Sequence, residues 1–181
     1  MNGLARRRMI CTLGAAALVS GRAGVRAAET TPTRAGRALA FDNLHTGEKM
    51  VIEYYAQGGY VAQALASVNQ LLRDFRTGDV GAIDVGLLDV LHGLATLTAS
   101  QRPFQIISGY RSPATNEALR RHSSGVARDS LHTRGQAIDI RLADVPLQAL
   151  RDAARSMRAG GVGYYPASGF VHVDTGRIRT W

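Results

Sequence analysis

Residues 130–140 read SLHTRGQAIDI, a stretch in which a histidine, a glycine and an alternating run follow one another. Gly135 frees the backbone to turn sharply after His132. Side chains of a strand alternate between two faces, so Asp139 points away from the face that the flanking isoleucines bury. We therefore predict a turn that presents His132 and, directly after it, a short buried strand that presents Asp139.

A second stretch near the end of the chain follows the same rule. Residues 169–174 read GFVHVD, so the two valines share one face and His172 shares the other with Asp174. A lone histidine is more often a hydrogen-bonded residue than a ligand, but two such contexts together are more specific. Two imidazoles and a carboxylate, with a fourth position left to water, are typical of an open catalytic zinc site. We predict one zinc ion per chain, bound by His132, Asp139 and His172.

Both stretches resemble the zinc-dependent peptidoglycan peptidases of the D-alanyl-D-alanine carboxypeptidase and dipeptidase superfamily, whose metal centre the hedgehog signalling domain shares. Residues 108–116 (SGYRSPATN), 161–166 (GVGYYP) and 174–176 (DTG) are similar to its murein endopeptidase K branch. The resemblance covers roughly residues 38–181. It implies an α+β fold, in which a small antiparallel sheet carries the zinc site and helices pack against it. It also implies a zinc-dependent murein endopeptidase, with peptidoglycan as the partner.

The resemblance also assigns two residues that contact the substrate. In the family, the arginine of the matching Tyr-Arg pair lies over the zinc and steadies the scissile carbonyl, a role that falls on Arg111. A guanidinium suits this role because it is always charged and offers several fixed donors. The serine that matches Ser130 helps to hold the substrate. Without the resemblance, Arg111 is equally well a surface charge and Ser130 an ordinary turn residue.

The general base departs from the family pattern. Related dipeptidases have a glutamate where this chain has Gly169, and other relatives have a histidine where it has Phe170. Asp174 is the remaining candidate, because it shares a strand face with His172 at a distance of about 6.8 Å along the chain. Asp174 is alternatively an acceptor that fixes the tautomer of His172.

The missing base leaves three functional hypotheses. The first is an endopeptidase that hydrolyses the peptide crosslinks of the cell wall with a metal-activated water. The second is a non-catalytic, zinc-stabilised module that binds peptidoglycan. The third, a more general exported peptidase or amidase that acts on proteins, is less favoured, because no hydrophobic specificity pocket is evident from the sequence.

The first 27 residues are typical of a signal peptide. Arg6, Arg7 and Arg8 precede an apolar run and then small residues, a pattern that fits twin-arginine export. This apolar run is too short for a membrane-spanning helix, which needs about 20 apolar residues. Residues 28–37 are predicted to be a linker and 38–181 the zinc peptidase domain. We expect a periplasmic monomer that is not inserted in the membrane after cleavage.

The charge of the chain depends strongly on that signal peptide. The formal net charge is +8, with 22 basic residues, and five arginines but no acidic residue precede Ala28. Removing them leaves 17 basic and 14 acidic residues, a net charge of +3. We therefore predict no nucleic-acid partner. Cys11, the only cysteine, lies in the signal peptide, so the domain has no thiolate ligand.

Periodicity predicts the scaffold around these motifs. A hairpin is expected over 37–44 and 49–55, and a strand over 104–110. Helices are expected over 59–75, over 84–97 with Asp84 as cap, from a cap at Ser112 onwards, and from a cap at Asp144 to about Met157. His45 is predicted to be a solvated residue of the hairpin turn, and His92 a surface or packing residue. Tyr164 or Tyr165 is predicted to line a cleft or to lie in the core.

Overall fold

An eight-stranded, mostly antiparallel sheet runs through residues 36–122 and 125–181, which the computed structural model describes. Its strands are β1 (Arg37–Asn43), β2 (Lys49–Ala56), β3 (Gly59–Tyr60), β4 (Phe104–Ser108), β5 (Ala137–Arg141), β6 (Gly161–Tyr165), β7 (Phe170–Asp174) and β8 (Arg179–Thr180). The helices are α1 (Ala62–Leu71), α2 (Val85–Thr98), α3 (Pro113–His122) and α4 (Leu147–Met157), with two 3-10 turns at Leu131–Arg134 and Pro166–Ser168. The predicted α+β class is confirmed.

The strands lie in the order β3-β2-β1-β4-β5-β7-β6-β8. The pairs β1–β4 and β6–β8 are parallel, and the other neighbouring pairs are antiparallel. Strands β5 and β7, which carry the two alternating motifs, are therefore neighbours inside the sheet. A sheet interior holds both strands in a fixed register, and in this register Asp139 lies directly opposite His172.

One face of the sheet packs against helices and forms the core. Fully buried side chains from β5 and β7 meet leucines of α2 and α4 there: Ile138, Ile140, Val171, Val173, Leu87, Leu91, Leu94 and Leu150. Burying such side chains is the main source of stability, at roughly 25 cal/mol per Å² of apolar surface. The predicted alternation in both strands is confirmed, because Asp139 and His172 occupy the positions between these core residues.

The first predicted helix was too long at both ends. Gly59–Tyr60 pairs with β2 as β3, and the ring of Tyr60 packs edge-on against that of Tyr55, with centroids 5.3 Å apart. Helix α1 then spans only Ala62–Leu71. At its far end Asp74 accepts a hydrogen bond from the backbone N–H of Arg76 at 3.0 Å, which stabilises a turn in place of further helix.

The capping predictions had different outcomes. Asp84 accepts from the N–H of Gly86 at 2.9 Å and Ser112 from that of Thr115 at 3.2 Å, so the caps of α2 and α3 are confirmed. The cap at Asp144 was wrong. Its carboxylate instead accepts from the hydroxyl of Ser100 at 2.6 Å, and α4 begins after Pro146, whose ring fixes the backbone before the helix.

The remaining boundaries differ by a few residues. The strand predicted over 104–110 ends at Ser108, because the N–H of Tyr110 bonds instead to the carbonyl of Leu72 at 2.8 Å. Arg37, assigned to the linker, is the first residue of β1, while the predicted signal peptide lies outside the described residues. Within the described ranges, no helix has both the length and the apolar character needed to cross a membrane.

Candidate metal centre

The three predicted ligands converge on the face of the sheet opposite the core. His132 lies in the 3-10 turn Leu131–Arg134, Asp139 on β5 and His172 on β7, and all three are buried. Gly135 ends the turn with a φ of 65°, and a β-carbon there would collide with the carbonyl oxygen of Ala82. Only glycine fits this backbone without strain, so the predicted turn after His132 is confirmed.

The ligand atoms are spaced as a small metal ion requires. His132 Nε2 lies 3.2 Å from His172 Nδ1 and 3.4 Å from Asp139 Oδ1, and the last two atoms are 2.8 Å apart. Zinc bonds to nitrogen and oxygen measure about 2.0–2.2 Å, which places tetrahedral ligand atoms about 3.3–3.6 Å apart. The observed triangle is close to that size, with one edge shorter.

Hydrogen bonds on the far side of each ring determine which nitrogen faces the centre. His132 Nδ1 lies 2.8 Å from the carbonyl oxygen of Gly109, which can only accept, so this nitrogen carries a proton. His172 Nε2 lies 3.2 Å from Asp174 Oδ2. Because an ionised carboxylate can only accept a hydrogen bond, this nitrogen also carries a proton. In the neutral rings two nitrogen lone pairs then face the Asp139 carboxylate. Three acceptors this close repel one another unless a proton or a metal ion lies among them, so the donor set fits a metal ion.

The electrostatics of the cluster favour positive charge. Burial opposes the ionised form of Asp139, but its two histidine neighbours outweigh burial and hold its pKa well below the usual range. Burial likewise lowers the pKa of His172, yet hydrogen bonds to Asp139 and Asp174 outweigh it, so the pKa is raised. Protons and a metal ion therefore compete for the same lone pairs.

A cleft of about 500 Å³ opens above the three ligands. Its lining includes both predicted substrate-contacting residues and an aromatic side: Arg111, Ser130, Tyr165, Phe170 and Trp181. Tyr165 therefore lines the cleft, whereas Tyr164 packs against the hydrophobic core. His45 and His92 do not line it: their rings pack against Phe75 and Tyr54, respectively.

Arg111 leaves β4 and reaches this cleft with most of its donors weakly used. Its two terminal nitrogens make long contacts of 3.4 Å, to Asn116 Oδ1 and Ser108 Oγ, and its buried Nε has no partner among the described residues. Burial lowers the pKa of this guanidinium, but arginine stays charged even so. The side chain thus has several N–H groups available for an oxygen atom of a ligand.

Ser130 directly precedes the turn that carries His132. Its backbone carbonyl accepts from the N–H and the hydroxyl of Thr133, at 3.1 and 2.7 Å. Within the described part of the chain its own hydroxyl has no hydrogen-bond partner, and the residue lines the cleft. Its position is therefore suited to contact with a ligand.

Asp174 is placed behind His172 instead of in the cleft. Its carboxylate is fully buried and accepts from the N–H groups of Gly161 and Gly176, at 2.9 and 2.8 Å, and from Arg179. Burial raises its pKa, but these hydrogen bonds and that to His172 outweigh it, so the pKa falls well below its usual range. The described cleft lining includes Asp129 but not Asp174.

Sequence reasoning missed Arg179 and Trp181, which lie in the last three residues. Arg179 forms an ion pair with Asp174, and the Trp181 ring lies 5.3 Å from that of His172. No periodic pattern marks either residue, because both act through contacts that depend on the register of the short strand β8.

Comparisons with known proteins agree with the motifs. A family model described as "Peptidoglycan L,D-endopeptidase MepK" matches residues 31–181. A protein of that name from Escherichia coli K12 is 46% identical over 177 residues, which cover 98% of this chain and 97% of the relative. A "Probable peptidoglycan L,D-endopeptidase MepK" from Haemophilus influenzae is 44% identical over 146 residues, or 80% of this chain and 78% of the relative. The chain therefore belongs to the MepK family, the M15-type murein endopeptidase branch that its motifs resemble.

Proposed function

We propose that this chain is a zinc-dependent peptidoglycan endopeptidase that hydrolyses peptide crosslinks of the cell wall, with one zinc ion per chain. The observation that carries the proposal is the convergence of His132, Asp139 and His172 at the base of a cleft that also contains Arg111. The names of its relatives extend the proposal to an L,D-endopeptidase activity. Both parts can be tested on the same substrate.

Each cleft residue has a role in this proposal. A bound zinc ion supplies a Lewis acid for a carbonyl and makes a water nucleophilic near neutral pH. Arg111 donates its weakly used N–H groups to the carbonyl oxygen of the scissile bond as negative charge develops there. The Ser130 hydroxyl binds the substrate backbone and helps to hold the peptide in register.

For Asp174 we infer the second of the two roles considered, that of an acceptor that orients His172. A general base must reach the reacting proton directly or through one water, and Asp174 is fully buried behind the ligand. Its lowered pKa also makes it a weak base. Among the described residues that line the cleft, Asp129 is the carboxylate outside the ligand set, so it is the first candidate for the proton acceptor.

The absence of the family's usual base supports one alternative, a module that binds peptidoglycan without cleaving it. Gly169 ends the 3-10 turn Pro166–Ser168 with a φ of 70°, and Phe170 stacks on Tyr165 with ring centroids 4.6 Å apart. Neither position can accept a proton. Such a module would keep zinc and wall binding but release no product.

Digestion of purified sacculi distinguishes these functions. We expect the zinc-loaded protein to release crosslink-cleaved muropeptides, identified by chromatography and mass spectrometry, and His172→Ala to release none. If the wild type releases nothing but sediments with sacculi only when zinc is present, the binding module is correct. Equal cleavage of an unrelated protein substrate would instead indicate a general peptidase.

We also propose that the protein is exported to the periplasm by the twin-arginine route and acts there as a monomer. Arg6-Arg7-Arg8 and the apolar run support export, and the peptidoglycan named for its relatives lies outside the cytoplasm. Replacing Arg6 and Arg7 with lysine should retain uncut precursor in the cytoplasm. Mature Arg6→Lys/Arg7→Lys protein in the periplasmic fraction would favour the Sec route.

A further inference from the structure

We propose that Arg179 is a positioning residue that fixes the metal-binding tautomer of His172 through Asp174, and that Trp181, which packs over the Arg179 guanidinium, stabilises this contact. The proposal rests on the metal site proposed above. It makes the C-terminal strand β8 a part of the metal centre, although none of its residues is a ligand.

Arg179 contacts both oxygens of the Asp174 carboxylate. Arg179 Nη1 lies 3.1 Å from Asp174 Oδ1 and Nη2 lies 2.7 Å from Oδ2, so the two N–H groups span both carboxylate oxygens. Nη1 also donates to the carbonyl of Arg177 at 3.0 Å, which holds the guanidinium in place. Two-point contacts of this kind add geometric specificity to the attraction between the charges.

The hydrogen-bond donors around Asp174 are divided between its two carboxylate oxygens. Asp174 Oδ1 is held by the backbone N–H groups of Gly161 and Gly176, whereas the partners of Oδ2 among the described residues are Arg179 and the ring of His172. The backbone contacts therefore fix one oxygen and leave rotation about it possible. Arg179 sets the plane of the carboxylate, so that Oδ2 faces His172 Nε2.

Trp181 packs over the guanidinium of Arg179. Its ring lies 4.8 Å from the Arg179 guanidinium carbon and 5.3 Å from the ring of His172. Its indole N–H donates to the hydroxyl of Tyr165 at 2.7 Å, and its backbone pairs with Val162. Excluding water from one side of an ion pair strengthens it, because screening by solvent is reduced.

The consequence for His172 is a choice between two tautomers. With a proton held on Nε2 by Asp174, the Nδ1 lone pair faces His132 and Asp139 and is available to a metal ion. If Asp174 turns away, the neutral ring can place its proton on Nδ1, where it bonds to Asp139 at the observed 2.8 Å. That proton occupies the lone pair that the metal needs. Partners of metal-binding histidines typically affect metal affinity by about 10–100-fold.

The test compares Arg179→Gln and Arg179→Lys with the wild type in the full chain. Arg177→Gln is the matched control, since this exposed arginine contributes only its backbone carbonyl to the network. Zinc affinity is measured by competition with a chelator. The His172 tautomer is read from long-range ¹H–¹⁵N NMR spectra of the zinc-free protein, recorded at an alkaline pH at which the ring is neutral, and these spectra require no activity.

We expect Arg179→Gln to weaken zinc binding by about 10–100-fold and to shift His172 from the Nε2–H to the Nδ1–H tautomer. Arg179→Lys, which keeps the charge but not the two-point contact, should fall between, and it replaces the glutamine variant if that protein does not fold. Unchanged zinc affinity and tautomer in the folded variant would overturn the proposal, as would a raised KM alone. If the wild type binds no zinc, the proposed function fails, whereas the NMR comparison still tests Arg179.

Discussion

The floor of the cleft, formed by His132, Asp139 and His172, and its rim, formed by Arg111 and Ser130, differ in how fully their polar groups are bonded. On the floor, each ring nitrogen that faces away from the centre has a partner within 3.2 Å. On the rim, Arg111 has contacts of 3.4 Å and a buried Nε without a partner in the described residues. This difference supports the proposal that the floor holds an ion of fixed geometry and that the rim donates to a substrate.

The two parts also rest on different supports. Asp139 and His172 are opposite each other on two hydrogen-bonded strands in the sheet, so their spacing is set by backbone register. Arg111 follows the end of β4, where its own N–H donates to the carbonyl of His132 at 3.2 Å and the neighbouring residues contact the loop after α1. Substitutions on the floor should therefore remove the metal, while those on the rim should slow turnover without removing it.

The largest effect is expected on the floor. Replacing His132, Asp139 or His172 with alanine should abolish tight zinc binding and all turnover, because three ligands are the minimum for a catalytic zinc site. Metal analysis of the purified protein should find about one zinc ion per wild-type chain and none in the variants. A full complement of zinc in His172→Ala would exclude this site.

The next largest effect is expected on the rim. Arg111→Ala should retain zinc but lower the rate of muropeptide cleavage by roughly 10²-fold or more, by analogy with the loss of an oxyanion donor. Arg111→Lys, which keeps the charge with fewer fixed donors, should recover only part of the rate. If Arg111→Ala lost its zinc, floor and rim would not be separable in the way we describe.

The difference between the floor and the rim also explains which residues of the site could be predicted from the sequence. The period of two in β5 and β7 requires Asp139 and His172 to face away from the isoleucines and valines of the core, so both positions follow from local sequence. Arg179 and Trp181 were not predicted, because their roles depend on how β8 pairs with β6. The role of Arg111 came from the resemblance, since a strand that ends in arginine does not by itself indicate a cleft.

The Asp174→Asn variant distinguishes between two roles of Asp174, orienting His172 and acting as the general base. All the observed contacts of this carboxylate come from donors, so the NH₂ group of asparagine must face at least one of them. We therefore expect zinc affinity to fall by about 10–100-fold, with activity largely recovered when zinc is saturating. A general base would behave differently: zinc affinity would stay at the wild-type value and turnover would fall by about 10²–10⁴-fold.

Asp129→Asn tests the other candidate for the general base. Asp129 lines the cleft, and among the described residues it makes no observed contact with His132, Asp139 or His172. If Asp129 accepts the proton, its variant should show the large loss of turnover with unchanged zinc affinity. Wild-type activity in Asp129→Asn would remove it from the list of bases.

The smallest effect is expected from replacement of Asp74, a buried residue whose side chain binds the backbone next to Arg111. Its Oδ2 accepts the N–H of Ser112 at 2.9 Å, directly after Arg111, and its Oδ1 accepts that of Arg76. Burial raises the pKa of this carboxyl, but hydrogen bonds from Thr115, Ser112 and Arg76 outweigh it and lower the pKa to about 2. The ionised side chain is therefore favoured in the folded protein.

Because the folded pKa lies below the ordinary value of 3.8, Asp74 contributes stability above about pH 4 and loses it as the pH falls towards 2. The contribution is about 2 kcal/mol.

Asp74→Asn offers one acceptor for two N–H groups, so it should lower the free energy of unfolding at pH 7 by about 1–3 kcal/mol and flatten its acid dependence. Zinc content should stay unchanged, and turnover should fall by less than about tenfold, since Arg111 is displaced but not removed. Asp79→Asn, in the same loop but exposed, is the matched control. An acid dependence of Asp74→Asn equal to that of the wild type, measured by denaturant unfolding between pH 2 and 7, would contradict this account of how the rim is held.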